Sequence, residues 1–160
     1  MIIRHTSMGD LDQMVRIEEV SYPSAEGASR ESICKRIQTF SDCFWVLDDH
    51  GKIVAFINGM STNERDLTDE MYDHAEKHDP NGLWQMIFSV VTDPQYRGNG
   101  YATKVMEKLL QDCHERGKKG VVLTCKEKLL PFYTRFGFMN EGVSQSTHGN
   151  VTWYQMRYTF

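Results

Sequence analysis

Arg97-Gly98-Asn99-Gly100-Tyr101-Ala102 sets two glycines two residues apart, directly ahead of a segment with helical apolar spacing. Glycine adopts positive φ without penalty, and a chain that turns this way can aim successive N–H groups at one point. At the positive end of a following helix such donors suit a phosphate or pyrophosphate. Side chains larger than Gly at 98 and 100 would hold the anion off the amides, and a small residue at 102 lets the helix approach the preceding strand. On the glycines alone, a plain strand-to-helix turn is the simpler reading. A Walker A loop needs Gly-Lys-Ser/Thr, whereas Gly100 is followed by Tyr101-Ala102. A dinucleotide fingerprint needs Gly or Ala where this chain has Thr103, and it belongs to an early βα unit, not a late one.

The elements that must position this turn follow from periodicity. Ile2 and Ile3 open a strand, and Leu11, Met14, Val15 and Tyr22 share a helical face that Pro23 ends. After the small-residue loop PSAEGAS, Ser29 is read as the N-cap of a helix carrying Ile33, Ile37 and Phe40. CFWVLDDHGKIVAFINGM reads as two strands around a turn tipped by His50-Gly51. Residues 61–82 carry Asp66, Asp69, Glu70, Asp73, Glu76 and Asp79 and read as a loop with an irregular helix, outside the core. LWQMIFSVVT is continuously apolar, which suits one central strand covered on both faces. Ala102, Val105, Met106, Leu109, Leu110 and Cys113 form the clearest helical stripe, ended by Arg116-Gly117. GVVLTC is a second buried strand. KEKLLPFYTRFGF predicts a short helix interrupted near Pro131, and two closing strands flank a turn at His148–Asn150. The order β-α-α-β-β-β-α-β-α-β-β predicts one α/β domain with one mixed sheet.

Composition bounds the partners. The chain has 160 residues and a formal charge of −4, from 18 Lys and Arg against 22 Asp and Glu, with no basic block. That argues against nucleic acid and is compatible with a cationic substrate. No apolar run approaches the ~20 residues of a membrane span. MIIRHTSMGD lacks the pattern of a secretory signal, so a cytoplasmic location is expected. Cys34, Cys43, Cys113 and Cys125 lack Cys-x-x-Cys spacing and are read as free, mostly buried thiols, with no metal expected.

Arg97-x-x-Gly100-x-Ala102, with Val90-x-Thr92-x-Pro94 ahead of it, resembles the acetyl-CoA signature of the Gcn5-related N-acetyltransferase (GNAT) superfamily. Leu130-Pro131-Phe132-Tyr133-Thr134-Arg135-Phe136-Gly137-Phe138 resembles that superfamily's late segment, in which a tyrosine faces the coenzyme sulfur. Glu18-x-x-x-Tyr22-Pro23-x-x-Glu26-x-Ala28-Ser29, KIVAFINGM and CKEKLLPFYTRFGF are similar to the arylalkylamine N-acetyltransferase group, over a span from about residue 15 to Met156. The resemblance implies a single domain over residues 1–160, its mixed, mostly antiparallel sheet flanked by helices and splayed at two central strands.

It also implies a reaction. A neutral amine attacks the thioester of acetyl-CoA, the co-substrate, in one direct transfer without a metal. Val90, Val91 and Thr92 would bind the pantetheine arm, and Arg97, Gly98, Asn99, Gly100, Tyr101 and Ala102 the pyrophosphate. Tyr133 would give a proton to the departing sulfur, while Phe132, Phe136 and Phe138 are read as core. The vertebrate amine enzymes carry two strand histidines as a proton relay. Met86 and Phe88, or Trp84 and Met86 in the shifted alignment, stand there instead. Glu26 is the candidate base, against the reading of a solvated loop charge. His74, His78 and His148 are read as surface residues. Phe44, Trp45, Trp84, Met86, Phe88, Trp153 and Tyr154 are candidate walls of an amine pocket, most of them expected in the core. The expected partner is a small-molecule amine, arylalkylamine or polyamine-like, with no nucleic acid and no membrane; a homodimer is left open. A protein or peptide acceptor, and a non-catalytic acyl-CoA sensor, remain the alternatives.

Overall fold

Strand β1 (Ile2–Arg4) leads into helix α1 (Leu11–Ser21), which buries Leu11, Met14, Val15, Ile17 and Glu18. The computed structural model describes residues 1–23 and 26–160; Ser24 and Ala25 of the small-residue loop lie outside the described residues. Helix α2 (Arg30–Phe40) starts where its cap predicts, with the Ser32 N–H donating to the Ser29 hydroxyl at 3.1 Å. Strands β2 (Phe44–Asp49) and β3 (Lys52–Asn58) form the expected hairpin. Its tip places His50 at φ 51° and Gly51 at φ 94°, the paired positive angles of a tight hairpin turn. Then come β4 (Ser61–Thr62), α3 (Asp69–Asp73), β5 (Trp84–Met86) and β6 (Ser89–Thr92). Helix α4 (Tyr101–Glu115), β7 (Gly120–Cys125), α5 (Leu130–Thr134), β8 (Met139–Val143) and β9 (Tyr154–Thr159) complete the chain.

The strands form two hydrogen-bonded sheets, in the orders β1-β2-β3-β6 and β4-β5-β7-β9-β8, with β5 and β7 the parallel pair. The expected single strand LWQMIFSVVT is broken between them. Asn58 lies opposite Ser89 and Ser61 opposite Gln85, so Gly59 and Met60 face three residues, Met86, Ile87 and Phe88. This is a β-bulge, and the chain changes sheet across it. The Ile87 N–H donates to the Val122 carbonyl on β7 at 2.9 Å, and the next N–H, of Phe88, donates to the Asn58 carbonyl on β3 at 2.7 Å. Beyond that point, among the described residues, no ladder joins β6 to β7, and the two strands diverge. Gly59 permits the crossing: a Cβ there would lie 1.7 Å from the Met86 carbonyl oxygen.

Helix α4 packs on β2 and β3 through Val105, Met106, Leu109 and Cys113, all fully buried. Burial of side chains of this size stabilises by roughly 1.5–3 kcal/mol each. Two expectations need correction. Residues 61–82 do enter the core: Met71 of α3 and Leu67 and Ala75 on either side of it are buried, while Glu70 and Asp73 stay exposed. Pro131 does not interrupt a helix but lies in the first turn of α5, where its missing N–H leaves no bond unmade. Among the described residues no helix is long and apolar enough to cross a membrane.

Candidate active site

The divergence of β6 and β7 opens a cavity of 480 Å³. One wall is β6, including Val90, Val91 and Thr92, and the other is β7 from Leu123 to Cys125. Arg97 and Ala102 border one end, Tyr133 lies on the wall, and Glu18, Glu26, Tyr72 and His148 border the other end. The gap therefore brings together most of the residues singled out in the sequence. Gly98, Asn99, Gly100 and Tyr101 belong instead to the turn beside it, where the first three are exposed.

That turn is a set of free donors. Asp93 caps its first residues, accepting the Gln95 N–H at 3.1 Å and pairing with Arg16 at 2.7 Å. The Asn99 amide donates to the Tyr96 carbonyl at 3.0 Å and so holds the turn from within. Gly98 and Gly100 have φ of 83° and 74°, and a Cβ on either would meet no protein atom within 4 Å. Their glycine is required by backbone conformation, and the space beside them is open. Among the described residues the N–H groups of Gly98, Asn99, Gly100, Tyr101 and Ala102 make no hydrogen bond. Consecutive unpaired donors at the start of a 15-residue helix fit a pyrophosphate. Residues 97–102 thus present free amides, and β6, paired with β3 along one edge, leaves its other edge without a strand partner among the described residues.

Tyr133 is 5% exposed and sits edge-on to Phe132 and Phe138, at ring distances of 5.0 and 5.9 Å. Its hydroxyl makes no hydrogen bond among the described residues. Burial, with Cys125 and Tyr72 nearby, raises its pKa well above that of free tyrosine, so it carries its proton at neutral pH. Cys125 shares this wall, and burial pushes its thiol up to about 11. It is a thiol and not a thiolate at pH 7, which disfavours a cysteine-bound acyl intermediate and favours direct transfer. Phe132, expected in the core, is half-buried and lines the cavity, and Phe136 is half-buried beside it.

The far end is built by three loops and a helix. Lys126 Nζ lies 2.7 Å from Glu26 Oε1, so the Glu26 carboxylate, 7% exposed, is ion-paired and not a solvated loop charge. His148 corrects its surface assignment: its ring Nε2 is 2.8 Å from the Glu26 carbonyl, and the ring stacks on Tyr72 at 5.3 Å. Asp69 of α3 accepts the Ser146 hydroxyl and the Thr147 N–H, at 2.6 and 3.0 Å. Tyr72, Phe88 and Trp153 supply aromatic walls, whereas Phe44, Trp45 and Met86 are core. Trp84 and Tyr154 are half-buried and do not reach the cavity. Glu18 is the residue that sequence reasoning missed. It occupies the i+7 position of the apolar stripe Leu11, Met14, Val15, a charge on a buried face, and that was the available signal.

Other reactive groups are accounted for locally. His74 is exposed and beside Glu76, as expected of a surface residue. His78 is half-buried and accepts the Ser61 N–H at Nδ1, 3.1 Å away. Asp42, Cys43 and His78 each bring one potential ligand atom within 4.8 Å of the others. Burial, with Asp42 alongside, pushes the Cys43 thiol up to about 11. Cys43, Cys113 and Cys125 are buried and Cys34 half-buried, all four as free thiols.

A split sheet with a glycine turn and helix N-terminus at one mouth of the cleft is the architecture of N-acetyltransferase-like domains. The GphF GNAT-like decarboxylase in complex with isobutyryl-CoA superposes with a TM-score of 0.86 at 19% identity, over 99% of each chain. The loading GNATL domain of CurA from Lyngbya majuscula gives 0.85 at 16% identity, over 99% of this chain and 96% of that one. At these identities the likeness is one of fold. In sequence, the chain is 27% identical over 113 residues to the serotonin N-acetyltransferase of Mesocricetus auratus, 68% of this chain and 52% of that protein. The chain spans about half the length of that curated relative. Residues 11–138 match the Acetyltransferase (GNAT) family, and the chain belongs to it.

Proposed function

We propose that this protein is an acetyl-CoA-dependent N-acetyltransferase whose acceptor is a small primary amine of the arylalkylamine or polyamine-like kind. One observation carries the reading. A single cavity runs from Arg97 and Ala102 at the edges of the amide turn, past the protonated Tyr133, to an end walled by Tyr72, Phe88 and Trp153. Aromatic walls suit an apolar or cationic amine. Loops tied to one another by Asp69 and His148 suit a small acceptor better than a peptide laid across the sheet.

Acetyl-CoA supplies an activated acetyl thioester. Residues 97–102 hold its pyrophosphate, and Val90, Val91 and Thr92 align its arm. Tyr133 holds a proton for the departing sulfur. The acceptor end holds two carboxylates, Glu18 and Glu26, and one of them takes the ammonium's proton. Tyr22 braces the strand by donating its hydroxyl to the Val90 carbonyl at 3.3 Å.

The test is release of CoA thiol across a panel of arylalkylamines, polyamines and peptides. Turnover on an arylalkylamine or polyamine with KM at or below ~1 mM is expected. Turnover confined to peptides, or CoA binding with no turnover on any acceptor, would overturn the reading.

A further inference from the structure

Two carboxylates border the acceptor end, and their surroundings differ. Glu26 Oε1 makes no well-aligned hydrogen bond, but the Lys126 ammonium at 2.7 Å neutralises it. Glu18 is 3% exposed and faces no such partner. The Ala28 N–H donates to its Oε2 at 3.1 Å, while its Oε1 makes no well-aligned hydrogen bond among the described residues, the Ser89 hydroxyl being a neighbouring donor. A buried carboxylate oxygen left unpaired is unfavourable unless something entering the site supplies the donor.

Arg36 of α2 acts on Glu18 through its charge, yet both terminal nitrogens of its guanidinium are committed elsewhere and its buried Nε makes no hydrogen bond among the described residues. It donates to Asn58 Oδ1 at 3.1 Å and to the Tyr72 carbonyl at 2.9 Å, and it lies over the Phe88 ring at 4.6 Å. The other groups that face Glu18 are Ser89 on β6, Tyr22 after α1, Tyr72 on α3, and Glu26 and His148 from the loops. Burial raises the Glu18 pKa, and the Ala28 N–H, Arg36, Ser89 and His148 offset only part of that rise. Glu18 also borders a second cavity of 220 Å³, whose lining includes Ser29, Ser32 and Asp73. That space is large enough for several waters at ~30 Å³ each.

We infer that Glu18, and not Glu26, is the catalytic base: its Oε1 takes a proton from the acceptor ammonium in the main cleft and releases it to water in the side cavity. The inference rests on the N-acetyltransferase reading. Glu18 accepts one proton, which frees the nitrogen lone pair to bond the acetyl carbonyl carbon as the carbon–sulfur bond breaks. The sulfur takes the Tyr133 proton, and the second proton of the new amide nitrogen returns to the tyrosinate. One proton per turnover leaves by Glu18, so ammonium and thioester become amide, thiol and a proton. Glu26 instead holds Lys126 at the rim.

The test compares Glu18→Gln, Glu26→Gln and the unaltered protein by pH profile of kcat/KM, with CoA affinity measured by calorimetry. The unaltered protein should gain activity with rising pH as Glu18 deprotonates. Glu18→Gln should lose about 100-fold or more of kcat/KM, lose that rise, and keep CoA affinity within about twofold. Its deficit should shrink for acceptors of lower ammonium pKa, such as β-fluorinated arylalkylamines, because these need less help to deprotonate. Glu26→Gln should keep the rise. If the glutamine variant fails to bind CoA, Glu18→Asp carries the same comparison. A Glu18→Gln enzyme with the pH rise intact, or a deficit equal for all acceptors, overturns the base assignment alone. An unaltered protein inert toward every amine overturns the functional reading.

Discussion

Asp69 on α3 and Ser146 on the loop before β9 are joined by a 2.6 Å hydrogen bond, although 77 residues separate them in the chain. The contact, with the adjacent Thr147 N–H, is what ties the acidic segment to the loop that presents His148 and Trp153 to the cleft. Removing it should loosen the acceptor end without touching the donor end. Asp69→Ala deletes two hydrogen bonds worth about 1–2 kcal/mol together, so acceptor KM should rise about tenfold while CoA affinity stays unchanged. Steady-state kinetics beside CoA calorimetry decide it; equal weakening of both would show that the loop supports the whole cleft.

Tyr133→Phe keeps the ring contacts with Phe132 and Phe138 and removes only the hydroxyl. Because the hydroxyl has no partner among the described residues, folding stability should change by less than about 1 kcal/mol. The rate is another matter, since a positioned acid contributes on the order of 100-fold or more. We expect kcat to fall by that order with CoA affinity preserved. An unchanged kcat over the amine panel would remove Tyr133 from the chemistry.

Gly98→Ala and Gly100→Ala each force an L side chain into positive φ at a place where there is room for the methyl group. The cost, about 1–2 kcal/mol, is therefore conformational and not a clash. The turn should shift toward a geometry that no longer gathers its amides, weakening CoA binding by about tenfold. Calorimetry measures this directly, and affinity equal to that of the unaltered protein would argue against the cradle.

Asp93 links pH to the integrity of the same turn. Burial pushes its pKa up, but the Arg16 guanidinium and the Gln95 N–H outweigh burial and hold it below the usual aspartate value. A depressed folded-state pKa stabilises above the unfolded value of 3.8, and the contribution is lost as pH falls through the folded-state pKa. Arg16 is half exposed, so solvent screens the pair and the expected contribution is roughly 1 kcal/mol. Asp93→Asn should lower stability at pH 7 by that amount and flatten the loss of stability below pH ~4. Urea melts at pH 7 and pH 3 test both; parallel losses at the two pH values would contradict the linkage.

The sequence disclosed whatever is local. The stripe from Ala102 to Cys113, the Ser29 cap and the His50-Gly51 tip each depend on a few neighbouring residues and appear as read. The splay of two central strands was expected from the family resemblance alone; the residues of LWQMIFSVVT, uniformly apolar, do not show the break after Met86, which depends on Gly59 across the ladder. His148 was misjudged for the same reason: its stacking on Tyr72 joins segments far apart in the chain. Glu18 was legible in principle, as the charged member of an apolar stripe. Its free oxygen was not, because that depends on where Arg36 spends its donors.

The sheet's bulge also settles how the cleft responds to force. Both covalent paths between the two sheets in this region, β3 into β4 and β5 into β6, cross at the apex of the opening, where Gly59 meets Met86. The halves of the molecule are therefore pinned at that apex like the blades of shears riveted at the joint. Widening the gap would have to bend two strands at once against the packing of α1 and α4. Donor exchange should accordingly be a matter of threading an arm into a fixed slot, leaving adjustment to the loops around His148.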